Sequence, residues 1–335
     1  MKKVKGSKIS RRALVKEDKF IDSVLRPASW SDYIGQEKIK NALSLILRAA
    51  KKRNECSDHL LFYGPAGLGK TTLANLVAKE LKGNLKVATG PALQKLGDLA
   101  GLLSNLENQD VLFIDEAHRI PKAAEEMLYP AMEERKCCLT LGKGLASRPI
   151  TLDLPAFTLI CATTRPSLMS NPLRSRFGAI FKFDYYALEE IKTIILRSAK
   201  LMKIKLTAEA ISSLANASRF TPRVANRLLK RARDFSEVNN LSLIDEDVIS
   251  ETLKFLAIDE LGLEVGERYL LETIIKKFNN RPVGVNALAA VLGEERDTIE
   301  EIYEPYLMKI GFLQRTPQGR IVSKEAYKHL KIHTR

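Results

Sequence analysis

The fold of this chain is decided by one glycine-rich stretch, Gly64-Pro65-Ala66-Gly67-Leu68-Gly69-Lys70-Thr71. It fits the pattern G-x-x-x-x-G-K-[ST] and lies between an apolar run at 60–63 and an amphipathic segment at 72–81. A loop between a strand and a helix can turn its N–H groups toward phosphate oxygens, and the helix N-terminus adds a positive dipole. Lys70 then offers a charge to the β and γ phosphates, and Thr71 offers a hydroxyl to Mg²⁺. Because a loop that only turns the chain needs neither residue, the stretch predicts a nucleotide triphosphate site.

Two carboxylates follow another apolar run of the sequence. Asp115 and Glu116 come directly after the run at 111–114. Ligands bind at the carboxyl ends of strands in parallel sheets, so we expect Asp115 to hold Mg²⁺, directly or through water. We expect Glu116 to polarise the water that attacks the γ-phosphate. Paired acids after a strand are, taken alone, more often a helix cap, but the phosphate loop favours the catalytic interpretation.

Two weaker signals follow the next buried strand. Thr163 and Thr164 directly follow the apolar run at 157–162, so we expect their hydroxyls to lie near the same sheet edge. Arg174 and Arg176 come after a proline-containing turn. An arginine can neutralise charge on a γ-phosphate, including that of a neighbouring subunit. Without the other motifs, a surface salt bridge would be the better interpretation of these arginines.

The pattern up to Tyr186 predicts an α/β domain with a parallel sheet. Near-continuous apolar runs are typical of strands that are buried on both faces, and here they alternate with helix-length amphipathic segments. The strand candidates are 60–63, 85–88, 111–114 and 157–162. The segment 139–154 carries glycine and proline among β-branched residues, which predicts an inserted hairpin rather than a helix.

Helical periodicity replaces the strand signals after Tyr186. The predicted helices are 188–203, 208–219, 222–238 and 245–256, with Thr221 as cap and Pro222 as first residue of the third. Beyond a glycine-containing break, the predicted helices 285–292 and 297–310, joined by a tight glycine turn, precede a two-stranded ribbon, which predicts a winged helix-turn-helix. We therefore divide the chain into a basic, disordered segment at 1–24, a P-loop domain at 25–186, a helical lid at 187–262 and a winged helix at 263–335.

Charge and composition restrict the classes of partner and compartment. The 335 residues carry 54 Lys and Arg against 40 Asp and Glu, a net charge of +14 that favours an anionic partner such as nucleic acid. Part of the excess lies in the first twenty residues, where a solvated tail is an equally good interpretation. Apolar stretches fall well short of the ~18 residues of a membrane span, and the four cysteines lack metal-site spacing. We therefore expect a cytoplasmic protein with no membrane segment.

Further short stretches occur in an order that identifies a family. They are Tyr-Ile-Gly-Gln at 33–36, Gly-Asp-Leu-Ala at 97–100, Leu-Phe-Ile-Asp-Glu-Ala-His-Arg at 112–119, Leu-Tyr-Pro-Ala-Met-Glu at 128–133, Thr-Pro-Arg-Val-Ala-Asn-Arg at 221–227 and Gly-Phe-Leu-Gln-Arg-Thr-Pro at 311–317. With the phosphate loop and the segment 172–178, they make the chain resemble the RuvB family of AAA+ ATPases, from about residue 25 to residue 330. That family drives branch migration of Holliday junctions, so the resemblance implies an ATP-hydrolysing DNA motor.

The resemblance also implies roles for individual residues of the ATP site. It implies that Lys70, Thr71 and Thr72 bind phosphates and Mg²⁺, that Asp115 and Glu116 perform hydrolysis, and that Thr164 is a sensor. Arg176 would be an arginine finger that reaches a neighbouring subunit, and Arg223 would sense the γ-phosphate from the lid. The remaining nucleotide contacts implied by the resemblance are Leu25, Arg26, Gly67, Glu133, Glu134, Arg135 and Tyr186.

Partners follow from the resemblance in the same way. It implies a homohexameric ring in which Arg296, Arg315 and Arg320 contact the backbone of duplex DNA. Ile150 and Leu152 of the hairpin would dock on RuvA, although a core-facing hairpin is the alternative for this pair. RuvC resolvase would join a larger complex.

The chain departs from the family pattern at three positions, and two other functions remain as alternatives. The family usually has proline at the position of Ala66, arginine at that of Gln318 and an acidic residue at that of Lys143. The alternatives are a nucleotide-gated DNA-binding or clamp-loading scaffold without sustained turnover, and a protein-remodelling AAA+ ATPase. The complete set of ATPase residues argues against the first alternative, and the winged helix argues against the second.

Overall fold

The structure is a computed structural model that describes residues 24–141 and 148–332. The predicted basic segment lies outside the described residues except for residue 24, and Lys143 also lies outside them. The chain divides into two compact units between Tyr186 and Ala187. Within the described ranges, no helix combines the length and apolar character that a membrane crossing requires.

The first unit contains a parallel sheet, as the sequence predicted, and within the described residues the sheet has five strands. The strands of this unit are β1 Leu60–Tyr63, β2 Leu85–Thr89, β3 Val111–Asp115, β4 Lys136–Leu141, β5 Arg148–Asp153, β6 Thr158–Thr163 and β7 Ala179–Lys182. The sheet order is β2-β3-β6-β1-β7, and all four pairings are parallel. Strand β6 is buried along its whole length, which explains its continuous apolar character. The carboxyl ends of β1, β3 and β6 therefore meet at one edge.

Strand β7 was not among the predicted strands. It pairs only with β1 in the sheet, and its residues alternate between half-buried and exposed. Its apolar run is only three residues long, 179–181, between Gly178 and Lys182, and is shorter than the runs that identified the other strands.

Five helices that lie wholly within the described residues accompany the sheet. They are α1 Glu37–Arg53, α2 Lys70–Leu81, α3 Leu96–Ser104, α4 Lys122–Glu133 and α5 Asn171–Arg174. Helix α2 begins two residues earlier than predicted, at Lys70, because Gly69 adopts a φ of 93° and ends the loop. The apolar sides of α3 and α4 pack with Leu61, Leu112 and Cys161 of the sheet in one buried cluster.

The predicted hairpin is present as the antiparallel pair β4 and β5. The register runs from Lys136 opposite Asp153 to Leu141 opposite Arg148. Strand β4 follows α4 almost directly, so it begins three residues before the predicted start of the hairpin. The side chains of Ile150 and Leu152 are 39% and 37% exposed.

The second unit contains the predicted lid and the predicted winged helix. The lid helices are α6 Leu188–Met202, α7 Ala208–Asn216, α8 Pro222–Val238 and α9 Glu246–Phe255, and the winged helix contains α10 Val265–Lys277, α11 Val285–Leu292, α12 Arg296–Thr298, α13 Glu304–Lys309, β8 Leu313–Thr316, β9 Gly319–Val322 and α14 Lys324–His329. Thr221 caps α8 by accepting a hydrogen bond from the Val224 N–H, and Pro222 is the first helical residue. Strands β8 and β9 form the antiparallel wing.

The predicted helix at 297–310 is interrupted. A π-helical turn at Ile299–Tyr303 separates α12 from α13. Pro305 lies in the first turn of α13 and has no N–H to donate, so the regular i→i−4 ladder cannot continue through this point. The interruption brings Glu300 and Glu304 to the side of the wing, where both contact its arginines.

Candidate nucleotide and DNA sites

The phosphate loop has a backbone that only glycine can supply at its first position. Gly64, Gly67 and Gly69 have φ values of 137°, 80° and 93°. A Cβ atom on Gly64 would lie 2.4 Å from the carbonyl oxygen of Phe183, so a side chain there meets backbone. Loops with this backbone form concave sets of N–H donors that suit phosphate.

Lys70 is fixed over this loop. Its side chain is buried, and its Nζ donates to the carbonyl oxygens of Gly64 at 2.8 Å and Pro65 at 2.7 Å. Thr71 and Thr72 follow in the first turn of α2 and are half-buried. The loop, the ammonium group and the helix N-terminus therefore fit a triphosphate, and the Thr71 hydroxyl offers an oxygen ligand of the kind that Mg²⁺ prefers.

The predicted acids lie at the neighbouring strand end. Asp115 is the last residue of β3, and its Oδ1 accepts a hydrogen bond from the N–H of Glu116 at 2.9 Å. Glu116 has a φ of 50°, which is unusual for a residue with a side chain and re-aims the chain at the strand end. Its carboxylate pairs with Arg119 at 3.1 Å, and both side chains are at least half-exposed. Such an exposed pair is weak and is easily exchanged.

The two threonines at the end of β6 differ in environment. Thr164 is exposed, whereas Thr163 is buried. The Thr163 Oγ1 accepts from the Arg165 N–H at 3.0 Å and lies 2.9 Å from the Nδ1 of His118. His118 follows the acidic pair by two residues, so this hydrogen bond ties the end of β6 to the segment after β3. The sequence analysis did not assign this histidine a role.

Two buried tyrosines brace the phosphate loop from behind. The hydroxyls of Tyr33 and Tyr186 lie 3.4 Å and 3.3 Å from the carbonyl oxygen of Leu68, and 3.4 Å from each other. Burial, followed by the neighbouring Tyr186, raises the pKa of Tyr33 well above its usual value, so Tyr33 stays protonated and remains a donor. The sequence analysis assigned Tyr186 to the nucleotide but used Tyr33 only as part of a motif. Leu25 is buried and Arg26 is exposed.

The predicted arginine finger is held in a defined position. Arg176 pairs with Glu133 at 3.1 Å, donates to the Pro172 carbonyl oxygen at 2.7 Å and lies 4.4 Å over the ring of Tyr129. The structure thus brings together two residues that the resemblance assigned to contacts with nucleotide. Glu134 and Arg135 follow on the surface.

Arg223 lies in the second unit. It is exposed in the first turn of α8, directly after Pro222. Its position places an exposed, charged side chain at the start of α8, the longest of the described lid helices.

The wing carries a network of charged side chains, which we call the wing cluster: Arg296, Glu300, Glu304, Arg315 and Arg320. Glu300 contacts all three arginines, at 3.1 Å from Arg296, 3.2 Å from Arg315 and 3.0 Å from Arg320. The hydrogen bond from Arg296, with help from the other arginines, lowers the pKa of Glu300 despite its burial. Arg296 and Arg315 remain 57% and 52% exposed, and both can face a phosphate.

Arg320 is different from the other two arginines. Its side chain is 8% exposed, and its Nε lies 2.6 Å from the buried carboxylate of Glu304. Its Nη2 donates to Glu300 and to Glu304, so the carboxylates of both residues bind the guanidinium. The wing residues Arg315 and Arg320 contact carboxylates that are fifteen or more residues away in the sequence. Local residue spacing does not predict such contacts, so this network was not predicted.

Three family models match consecutive parts of the chain. The model of the Holliday junction DNA helicase RuvB P-loop domain matches residues 25–183, the RuvB AAA lid domain matches 186–259, and the RuvB C-terminal winged helix domain matches 260–331. Among solved structures, the Thermotoga maritima RuvB Holliday junction branch migration motor is 50% identical with a TM-score of 0.84, and the match covers 92% of this chain and 99% of that chain. A variant of the Thermotoga protein, also 50% identical over the same shares, has a TM-score of 0.83.

These matches cover both units and include the phosphate loop, the acidic pair and the wing. The chain therefore belongs to the RuvB family of AAA+ ATPases, the motors of Holliday junction branch migration.

Proposed function

We propose that this chain forms a homohexameric ring that hydrolyses ATP between subunits and drives the duplex arms of a Holliday junction together with RuvA, in recombination and DNA repair. One observation supports the proposal: in a chain that also contains a winged helix, the loop before Lys70 follows β1, Asp115 ends β3 and Thr164 follows β6, and these three strands are neighbours in one parallel sheet. A scaffold that only switches on nucleotide binding could use Asp115 for Mg²⁺, but it would not need Glu116 next to it to activate water.

The chemistry of hydrolysis can be assigned to residues of this chain. The loop N–H groups and the Lys70 ammonium bind the β and γ phosphates, and Thr71 and Asp115 are the residues that would hold Mg²⁺. When bound, the ion supplies neutralisation of phosphate charge. Glu116 releases the weakly held Arg119 and accepts a proton from the attacking water. Thr164 is exposed at the end of β6, where it can sense the γ-phosphate.

Arg176 completes a neighbouring subunit's site in this proposal. Its guanidinium is already oriented by Tyr129 and Glu133, which reduces the conformational freedom that it loses on meeting a phosphate. Glu133, Glu134 and Arg135 contribute further contacts at this interface. Leu25, Arg26 and Tyr186 contact nucleotide within their own subunit, and Arg223 senses the γ-phosphate from the lid.

The winged helix contacts DNA through phosphates. Arg296 and Arg315 are half-exposed and supply contacts that carry no sequence information. Arg320 reaches the backbone when a phosphate takes the place of Glu300, while Glu304 holds its Nε.

The hairpin is the proposed surface for RuvA. Ile150 and Leu152 alternate along β5 and are partly exposed, as expected for an apolar pair that a partner covers. RuvC resolvase would act with the motor in a larger complex, and the whole assembly would work in the cytoplasm.

The experiment compares the full chain with its Lys70→Ala variant on a synthetic four-way junction with RuvA, ATP and Mg²⁺. We expect the full chain to migrate the junction and to hydrolyse ATP faster when the junction is present. We expect Lys70→Ala to do neither while keeping its circular dichroism spectrum. Junction-stimulated ATPase in that variant would overturn the assignment of the site, and binding without turnover by the full chain would favour the scaffold.

A further inference from the structure

A strained turn within the lid packs against the winged helix. Arg219 and Phe220, which connect α7 to α8, have consecutive φ values of 57° and 55°. This conformation is unfavourable for residues with a side chain and persists only where the surroundings impose it. Thr221 and Pro222 then begin α8, and Arg223 follows in its first turn. The strained turn therefore fixes the start of the helix that carries Arg223.

Residues of the winged helix hold this turn in place. The Arg219 guanidinium donates a hydrogen bond to Glu267 of α10 and lies 4.6 Å over the ring of Tyr306 of α13. Glu267 is fully buried, and the ring of Phe220 lies 6.3 Å from that of Tyr306. Both strained residues thus obtain their partners from the winged helix rather than from the lid.

Glu267 also determines where α10 begins. Its second oxygen accepts a hydrogen bond from the N–H of Glu264 at 3.0 Å, which caps the helix. One carboxylate therefore binds the turn before α8 with one oxygen and the start of α10 with the other. Movement of either helix start changes the contacts of the same buried group.

The segment 259–263, which links the lid to the winged helix along the chain, is also packed closely. Gly262 has a φ of 81°, and a Cβ atom there would lie 2.3 Å from the carbonyl oxygen of Ala217 in the lid. Asp259 accepts from the N–H groups of Leu261 and Leu263 and pairs with His329 of α14 at 2.9 Å. The segment is therefore fixed at both ends and does not act as a flexible linker.

We infer that Arg219 and Glu267 form a joint that makes the helix of Arg223 and the winged helix move as one body when the bound nucleotide changes. The inference rests on the proposed function, in which Arg223 senses ATP and the winged helix holds DNA. Arg219 and Glu267 are positioning residues that act through these two elements. A joint of this kind converts a displacement of α8 into a displacement of the DNA-binding surface.

The chain offers a matched control on the same interface. Arg227 of α8 pairs with Glu264, the residue before α10, at 3.0 Å. These side chains are 52% and 48% exposed, so water screens the pair, and it holds the helices only weakly. Both pairs carry the same charges and connect the α8 region of the lid with the start of α10, and they differ in burial and in the stacking of Arg219 over Tyr306.

The test compares full-length Arg219→Ala, Glu267→Gln and Arg227→Ala. The first measurement is the number of base pairs migrated per ATP hydrolysed. The second is the distance distribution between spin labels carried by unnatural amino acids at the exposed positions Val238 of the lid and Met308 of the winged helix. Since burial raises the pKa of Glu267 to about 7, that group can take up a proton when Arg219 is removed, which limits the cost of the Arg219→Ala change.

We expect Arg219→Ala to lower the yield of base pairs per ATP about fivefold, the lower range of ordinary coupling between sites, and to broaden the distance distribution. Glu267→Gln keeps an oxygen for Arg219, so we expect its fall in base pairs per ATP to be less than half of the fall in Arg219→Ala. We expect Arg227→Ala to give the same yield and the same distance distribution as the unaltered chain.

An unchanged yield with a narrow distribution in Arg219→Ala would overturn the joint, as would equal losses in Arg219→Ala and Arg227→Ala. If the unaltered chain migrates no junction, the proposed function fails, and the label distances still decide whether the joint exists. If Arg219→Ala does not fold, Arg219→Lys, which keeps the charge but loses the planar fork, is measured in the same two ways.

Discussion

The phosphate loop and the wing cluster both gather positive charge for phosphate groups, but they are built differently. In the loop, three glycines with positive φ shape the backbone, and carbonyl oxygens five and six residues earlier hold Lys70. In the wing cluster, carboxylates hold the arginines, and the partners lie up to twenty residues apart. The first site is made by backbone, and the second is made by side chains.

This difference has a consequence for binding. Carbonyl oxygens of the loop orient the Lys70 ammonium group, whereas the carboxylate of Glu300 offsets part of the positive charge of Arg296 and Arg315. Under the proposed function, ATP meets an ammonium group already oriented over the loop, while a DNA phosphate competes with Glu300 for the arginines. A translocating motor releases DNA at every step. It therefore needs DNA contacts that exchange easily, together with firm binding of ATP.

The largest expected effect concerns the acid beside the loop. Glu116→Gln removes the proton acceptor and should lower the ATPase rate by about 10²–10⁴-fold, the usual contribution of a general base. Because Lys70 and the loop are unaltered, ATP should bind as before. Single-turnover hydrolysis and equilibrium nucleotide binding measure the two quantities. Loss of nucleotide binding would show that Glu116 has another role.

The next effect separates the buried arginine of the wing cluster from an exposed one. Arg320→Ala removes the hydrogen-bonded cation from the buried Glu304 and should lower the free energy of unfolding by about 3–5 kcal/mol. Arg315→Ala, at a half-exposed position, should change it by about 1 kcal/mol or less. Urea unfolding of both variants gives the comparison. Equal losses would mean that burial does not distinguish the two arginines.

A third change tests whether backbone shape makes the loop. Gly64→Ala places a Cβ 2.4 Å from the Phe183 carbonyl oxygen and should cost about 1–3 kcal/mol of stability, together with most of the ATP affinity. Gly97→Ala is the control, because no atom lies within 4 Å of a Cβ there and α3 favours alanine. Thermal unfolding and nucleotide titration are measured on both. Normal ATP affinity in Gly64→Ala would contradict the backbone explanation.

The smallest effect concerns competition at the wing cluster. Glu300→Gln weakens the hold on Arg296 and Arg315, and we expect duplex affinity to rise about two- to fivefold, the value of a partly exposed ion pair. Arg315→Ala should instead lower the affinity and reduce the salt slope by about one. Binding isotherms at several salt concentrations separate the two. Weaker binding by Glu300→Gln would show that Glu300 orients the arginines more than it competes with phosphate.

Much of the nucleotide site could be predicted because its information is contiguous in the sequence. The phosphate loop and the acids at 115 and 116 are local motifs that follow buried strands, and parallel pairing then brings the strand ends together. The prediction missed what depends on distant contacts. His118 meets Thr163 from a position 45 residues away, and Tyr33 meets Leu68 from 35 residues away.

The fold shows the same limit. Strands β1, β3 and β6 are buried on most or all of their length and were found. The edge strand β2 was also found, whereas the edge strand β7, with an apolar run of only three residues, was not. The winged helix was recognised from its glycine turn and ribbon. The π-helical turn and the ion pairs of Glu300 and Glu304 require knowledge of which face of the helix meets the wing, and a single sequence does not contain that knowledge.

Mixed rings test the ATP site between subunits most directly. Lys70→Ala protein has no working loop but keeps Arg176, and Arg176→Ala protein keeps the loop but has no finger. We expect the mixture to hydrolyse ATP faster than either variant alone, because a loop from one can meet a finger from the other. If subunits exchange into shared rings but no mixture hydrolyses ATP faster than either variant alone, Arg176 does not act on a neighbouring site.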